Sequence, residues 1–323
     1  MIYLLIFVFI FVSEIVYFKM ADRYNIIDKP NHRSSHSEIT IRGGGVIFSI
    51  ALLLWFFLFG FQYPFFVCGV VLISVISFMD DLNDISKRLR MAIHIASVSL
   101  LFYQLNLFAM YWWLIPIAYV LAIGTINAYN FMDGINGLTG VYSMVLVCSM
   151  LWINKYQVKF VDDSMLVVLI LSLIVFLFFN FRKSAACFAG DVGSISIAVI
   201  ACFLLARLII QTSQPCYAFM LSVYGIDAIC TIFIRMVRKE NIFEAHRLHL
   251  YQLLVNQRKQ PHLVVALLYG AIQVAINFVI QLIIADSAYF YLIGLAFTLL
   301  ILYIGVRFYI EGINFFSKSQ TKS

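Results

Sequence analysis

Charge is what this chain has little of. Only 12% of its 323 residues are charged, while 63% are hydrophobic. A soluble domain carries about 25% charged residues, so an ordinary water-soluble globule is excluded. The chain also lacks a long basic arm and any low-complexity or soluble segment, so its formal net charge of +6 does not point to nucleic acid as a partner. The six cysteines, Cys68, Cys148, Cys187, Cys202, Cys216 and Cys230, form neither a CxxC pair nor a metal spacing. They are expected to act as apolar filler in helices. The first apolar run has no basic leader and no small-residue cleavage site, and Lys19 and Arg23 follow it. It is therefore expected to stay as a helix and not to be removed as a signal peptide.

What is present is apolar sequence in lengths near the ~20 residues that cross about 30 Å of hydrocarbon. Eleven spans are predicted: Ile2–Phe18, Gly45–Phe61, Pro64–Met79, Met91–Leu107, Tyr111–Ile126, Leu138–Ile153, Met165–Phe181, Val192–Ile210, Tyr217–Met236, Leu263–Ile284 and Tyr289–Phe308. The fold class is all-α, one polytopic helix bundle over residues 1–323. All of the 22 basic residues except Lys155, Lys159 and Arg207 fall in, or one residue from, the loops after odd-numbered spans or the C-terminal tail. The positive-inside rule then places the N-terminus outside and the C-terminus in the cytoplasm.

The polar residues of chemical interest fall on that same side. The richest stretch runs from Asn127 to Gly137, NAYNFMDGING. If the preceding helix continues, Asn127, Asn130 and Asp133 lie roughly on one face because three-residue steps drift slowly around a helical turn. Gly134 and Gly137 then allow a tight turn or a close ligand approach. By itself the stretch also reads as a plain turn between helices. The first loop, DKPNHRSSHSEITIRGGG over Asp28–Gly45, breaks helix at Pro30 and at its glycines and is dense in donors such as His32, His36 and Arg42. Such a loop suits phosphate oxygens, or is a solvated linker. In the second loop, MDDLND, the adjacent acids Asp80 and Asp81 sit at a helix C-terminus, where repulsion and the helix dipole disfavour them. A divalent cation would relieve that cost, magnesium being typically held by one or two carboxylates plus substrate phosphates.

The fourth loop, CFAGDVGS, offers Asp191 as a metal ligand or nucleophile at a helix start. There Ser194 is a candidate cap and Phe188 a candidate stacking surface for a planar base. The fifth, EAHRLHLYQ, carries the pair His246 and His249 around Arg247 as phosphate or sugar donors. A zinc site competes there, but neither HExxH nor a cysteine partner is present. All six histidines are expected on the cytoplasmic side or at its edge. The intramembrane acids Glu14 and Asp227 are candidates by position, and Asp227 either borders the site or pairs internally.

Taken together, DKPNHRSSH with RGGG, MDDLND, NAYNFMDGING, FAGDVGS and HRLHLYQ occur in an order and spacing that resembles the polyprenyl-phosphate N-acetylhexosamine-1-phosphate transferases. This family includes the phospho-MurNAc-pentapeptide translocases and the enzymes that start O-antigen and other surface glycans. The resemblance spans about residues 20 to 255, and HRxHxYQ is similar to the surface-glycan branch.

The resemblance implies a bacterial inner-membrane enzyme. It would move a sugar-1-phosphate from a UDP-N-acetylated hexosamine to undecaprenyl phosphate with release of UMP, using Mg2+, or Mn2+ in its place. It further implies that Asp80 and Asp81 form the acidic pair near metal and lipid phosphate, and that Asp191 is a metal ligand beside Asp80. Asn130 and Asp133 would line the nucleotide site and Phe188 would stack on uracil, while His246, Arg247 and His249 would contact phosphate or sugar. Asn136 stands where many relatives carry an acid, so it is a contact at most and not a base. The residue chemistry is compatible, since phosphoryl transfer needs charge neutralisation and positioning more than covalent machinery. An aspartyl protease is disfavoured because its GxGD signature requires glycine where Phe188 stands. A nucleotide-sugar or ion transporter is the alternative, although such a protein should place polar groups near mid-bilayer and here they crowd one face. The assembly is open, a homodimer included.

Overall fold

The computed structural model describes the chain except for residues 29–38, 84, 243–245, 286–289, 313–314 and 316–323. Its helices are α1 (Ile2–Arg23), α2 (Val46–Leu58), α3 (Pro64–Leu82), α4 (Lys87–Gln104), α5 (Leu114–Met132), α6 (Leu138–Tyr156), α7 (Asp163–Asn180), α8 (Gly190–Thr212), α9 (Ser222–Val237), α10 (Leu250–Asn256), α11 (His262–Ala285) and α12 (Tyr291–Glu311). Apart from the short α10, each corresponds to one of the eleven predicted spans. Among the described residues, nine helical segments are both long and apolar enough to cross a membrane. The other two long elements depart for local reasons. α2 stops after 13 residues because Gly60 and Phe61 adopt positive φ and turn the chain, and α4 opens on the charged run Lys87–Arg90. The two-residue strands β1 (Ile27–Asp28) and β2 (Thr40–Ile41) pair antiparallel and bring the ends of the first loop together.

The bundle is built around α8, the most enclosed of the long helices, whereas α12 lies with most of its surface outward. Apolar packing cannot by itself choose helix partners where lipid is equally apolar, so close approach and interhelical hydrogen bonds carry the specificity. A buried hydroxyl chain does this between α2, α3 and α8, with Ser49 to Ser74 at 2.6 Å and Ser74 to Ser196 at 2.7 Å. Aromatic pairs fill the rest: Phe66 stacks on Phe203 at 3.9 Å between ring centres, and Tyr142 on Tyr224 at 3.7 Å.

The loops that follow odd-numbered spans meet at one end of the bundle. Phe188 N–H donates to the Ile41 carbonyl, and Gly44 and Gly45 N–H donate to the carbonyls of Phe188 and Ala189. The first loop thus lies against the start of α8. That approach needs bare backbone: a β-carbon on Gly45 would collide with the Gly193 Cα, and one on Gly193 with the Gly45 Cα.

Candidate active site

The acidic pair closing α3 divides into two different jobs. Asp81 points inward, its side chain fully buried. Its Oδ1 accepts the Asp191 N–H and its Oδ2 the Val192 N–H, both at 3.0 Å. A carboxylate here meets the first unsatisfied N–H groups of α8 and the positive end of its dipole. Arg42 Nε completes the site at 2.7 Å from Asp81 Oδ1. The cap of α8 is therefore Asp81 from α3. Ser194, expected in that role, lies inside α8, donates to the Gly190 carbonyl at 3.1 Å and accepts from Asn130 Nδ2 at 3.4 Å. Gly190, at φ +69°, has no room for a β-carbon, which would fall 2.7 Å from Asp81 Oδ2.

Asp80 turns toward the outer face of the same helix end. Its Oδ1 accepts the Ile85 N–H at 2.9 Å and its Oδ2 faces Arg90 Nη1 at 2.7 Å. Arg90 sits in the first turn of α4, where the helix dipole disfavours a cation, and Asp80 offsets this. Two guanidiniums and a helix N-terminus relieve the acidic pair, because tertiary contacts supply positive charge that is not adjacent in sequence.

Asp191 is held more loosely. Arg42 Nη2 and Arg90 Nη1 each stand 3.7 Å from one of its oxygens, and its side chain is 20% exposed. Arg42 and Arg90 themselves are 36% and 39% exposed. Two acids and two guanidiniums thus share an opening in which the arginines are not saturated. Among the described residues, no group of three or more His, Cys, Asp or Glu is gathered to hold a metal ion unaided. Hard carboxylate oxygens on Asp191 and Asp80 nevertheless suit an ion that completes its shell from water and phosphate.

The Asn127–Gly137 stretch forms the next wall, with one change from expectation. α5 ends at Met132, so Asp133 is its C-cap and does not continue the helical face. Burial pushes the Asp133 carboxyl up to about 7, with Thr139 opposing and the charges of Asp191 and Asp81 adding to the rise. Asn130 reaches the start of α8 through Ser194. Asn136 is committed elsewhere: its Nδ2 donates to the Arg182 carbonyl at 2.9 Å and the Lys183 carbonyl at 3.3 Å, and its N–H to His262 Nδ1 at 3.4 Å. The structure thus gives Asn136 the task of tying two loops together. Phe188 is half-buried, with its backbone joined to Ile41 and Gly44.

The histidine loop forms the third wall. His246 and His249 rings lie 5.0 Å apart, with Phe131 6.4 Å and 6.0 Å away respectively. Tyr251 OH donates to the Phe131 carbonyl at 2.9 Å, which locks α10 to the stretch bearing Asn130 and Asp133. Burial, with the charges of His249 and Arg235, pulls the His246 imidazole down to about 3. His249 is itself buried and pairs through Nδ1 with Asp227 Oδ1 at 3.3 Å, so Asp227 pairs internally. Arg247 packs in the same loop. His32, His36, Asp84 and Glu244 lie outside the described residues, and His94 is buried two turns into α4. Sequence reasoning gave Arg90 no individual role, because nothing local marks it out from Lys87 and Arg88. Tyr17, whose OH donates to the Arg42 carbonyl, carried no sequence signal.

Residues 63–210 match the family model described as glycosyl transferase family 4. That range contains Asp80, Asp81, Arg90, Asn130, Asp133 and Asp191, while Arg42 and the histidine loop lie outside it. The chain is 24% identical over 257 residues, 73% of it and 72% of the relative, to a probable undecaprenyl-phosphate N-acetylglucosaminyl 1-phosphate transferase of Bacillus subtilis (strain 168). It is similar to undecaprenyl-phosphate alpha-N-acetylglucosaminyl 1-phosphate transferases of Escherichia coli (strain K12) at 25% identity and of Salmonella typhi at 27%. Each of these two matches covers 78% of the chain and 75% of the relative.

Proposed function

We propose that this chain, which matches glycosyl transferase family 4 over residues 63–210 and is similar to the relatives above, transfers a sugar-1-phosphate from a UDP-activated N-acetylated hexosamine to undecaprenyl phosphate, releasing UMP. The activities named for these relatives support the acceptor and the transferred group. The observation that carries the chemistry is the meeting of Asp80 and Asp191 with the half-open Arg42 and Arg90 at one end of the bundle. A diphosphate entering there meets two guanidiniums able to exchange carboxylate for phosphate oxygens.

Asp191 and Asp80 are the residues that would hold magnesium, or manganese, and the ion would supply neutralisation of phosphate charge and polarisation of the phosphoryl oxygen. Arg42 and Arg90 orient the diphosphate. Asn130 and Asp133 line the nucleotide side, and the histidine loop closes over phosphate or sugar. The lipid phosphate, with a second pKa of about 6, is largely ionised at neutral pH. It therefore attacks the β-phosphorus without a strong base: one of its oxygens forms the new P–O bond as the bond to the bridging oxygen breaks, and UMP departs. Asp80 orients the acceptor. Asp81, sealed under α8, positions Arg42 and the helix start instead of touching substrate. The distribution of basic loops supports a cytoplasmic-facing site in a bacterial inner membrane, and a first step in a surface glycan such as O-antigen is the role that fits this product.

Purified protein incubated with undecaprenyl phosphate, magnesium and UDP-GlcNAc is expected to release UMP and form glycolipid, with EDTA abolishing both. A panel of UDP-sugars then identifies the donor. No UMP release with any of them overturns the proposal. A sugar-phosphate trapped on the protein without acceptor replaces direct attack by a two-step route.

A further inference from the structure

The most elaborate polar arrangement in the molecule lies away from the acidic cluster. Asp227, in α9, is buried about ten residues, roughly 15 Å of helix, from the Val237 end. It accepts from five groups. Oδ2 takes the Tyr269 OH at 2.7 Å, while Oδ1 takes the Leu250 N–H at 2.9 Å, the Thr231 and Tyr303 hydroxyls at 3.2 Å, and faces His249 Nδ1 at 3.3 Å. The donors come from α9, α11, α12 and the histidine loop, so the loop descends into the bundle to reach the carboxylate. Behind it Arg307, fully buried, donates to the Tyr303 and Thr231 hydroxyls at 2.9 and 3.1 Å and to Glu311 at 2.9 Å. A buried carboxylate needs its lone pairs met, and these donors do so. This one also holds one nitrogen of an imidazole whose other nitrogen, Nε2, is buried without a hydrogen-bond partner.

We propose that Asp227 is a positioning residue for His249: through Nδ1 it fixes the ring's rotation, and so leaves Nε2 to meet a sugar hydroxyl of the nucleotide-sugar substrate. A ring nitrogen's role is set by the hydrogen bond its partner nitrogen makes, and carboxylates behind functional imidazoles act in this way. The His249 ring also lies 6.0 Å from each of the Phe131 and Tyr251 rings, at interplanar angles of 29° and 18°, which limits its tilt. This inference rests on the transferase reading given above.

The test is a double-mutant cycle read by UMP release. Asp227→Asn and His249→Ala are each expected to lower kcat/KM for the nucleotide sugar by about 10- to 100-fold, with KM for undecaprenyl phosphate unchanged. The double variant is expected to fall within about threefold of His249→Ala alone, because residues acting as a unit are not additive. Losses that multiply overturn the proposal, since Asp227 then acts on the fold and not through His249. Tyr269→Phe leaves the carboxylate in place and covers the case of an Asp227 variant that does not accumulate. Its smaller loss is expected to vanish in the His249→Ala background, and persistence there counts against the proposal. A wild-type protein that releases no UMP sinks the transferase reading alone. The cycle is then read in the affinity for UDP-GlcNAc by thermal shift, where additive losses again reject the Asp227–His249 coupling.

Discussion

Two carboxylate–cation assemblies sit in this protein and are wired in opposite ways. Around Asp191 the partners stand 3.7 Å off and more than a third exposed. Around Asp227 every side-chain partner is buried, and the network ends in an Arg307–Glu311 pair whose side chains are 0% and 6% exposed. Ion pairs open to solvent are individually weak, about 0–1 kcal/mol, so a ligand can replace them at little cost. Sealed pairs are costly to break once formed, so they hold geometry. Under the proposed function the open assembly is where a diphosphate exchanges with carboxylate, and the sealed one is the frame that carries the histidine loop.

The sharpest separation comes from removing one member of each. Arg307→Met is expected to destabilise the fold by about 3–5 kcal/mol, measured by thermal unfolding in detergent. Asp191→Asn is expected to leave that transition in place while lowering UMP release by about 10²–10³-fold, the loss typical of one preorganised electrostatic group. A fully active Asp191→Asn enzyme, or an undisturbed Arg307→Met fold, breaks the comparison.

Within the open assembly, the acidic pair itself is asymmetric. Asp81→Asn removes the charge that caps α8 and pairs with Arg42, and is expected to cost about 1–3 kcal/mol of stability. Asp80→Asn, facing the exposed Arg90, is expected to cost under about 1 kcal/mol and to show its effect in kcat. Equal melting temperatures for the two variants would contradict the division of labour drawn for them.

The smallest effect concerns Asp133. Its folded carboxyl is raised to about 7, above the ~3.9 of an unfolded aspartate. The protonated form is favoured in the fold, and the stabilisation is complete below about pH 4 and lost as pH rises through 7. Asp133→Asn should therefore match the wild type in melting temperature near pH 4 and exceed it above pH 7. Parallel pH profiles would remove the buried-acid reading.

How much of this was legible beforehand differs by level. The eleven long helices follow from apolar length alone, because a bilayer requires internally satisfied backbone over a set distance. The candidate residues were legible as types: acids at helix ends, a glycine run, and a histidine pair with an arginine between. What each does was not. MDDLND shows two neighbouring aspartates as equals, yet successive helical residues point about 100° apart, and the packing of α8 against α3 decides which one is sealed and which one faces the opening. Asn136 reads as a site amide until Arg182 and Lys183 are found beneath it, and Asp227 as a stray intramembrane acid until four separate segments converge on it. Composition and apolar length, being local and one-dimensional, determined by themselves that this chain is a membrane helix bundle. Partner choice, exposure and the split between exchangeable and locked charges depend on contacts between residues a hundred or more positions apart, and only the tertiary structure decided them.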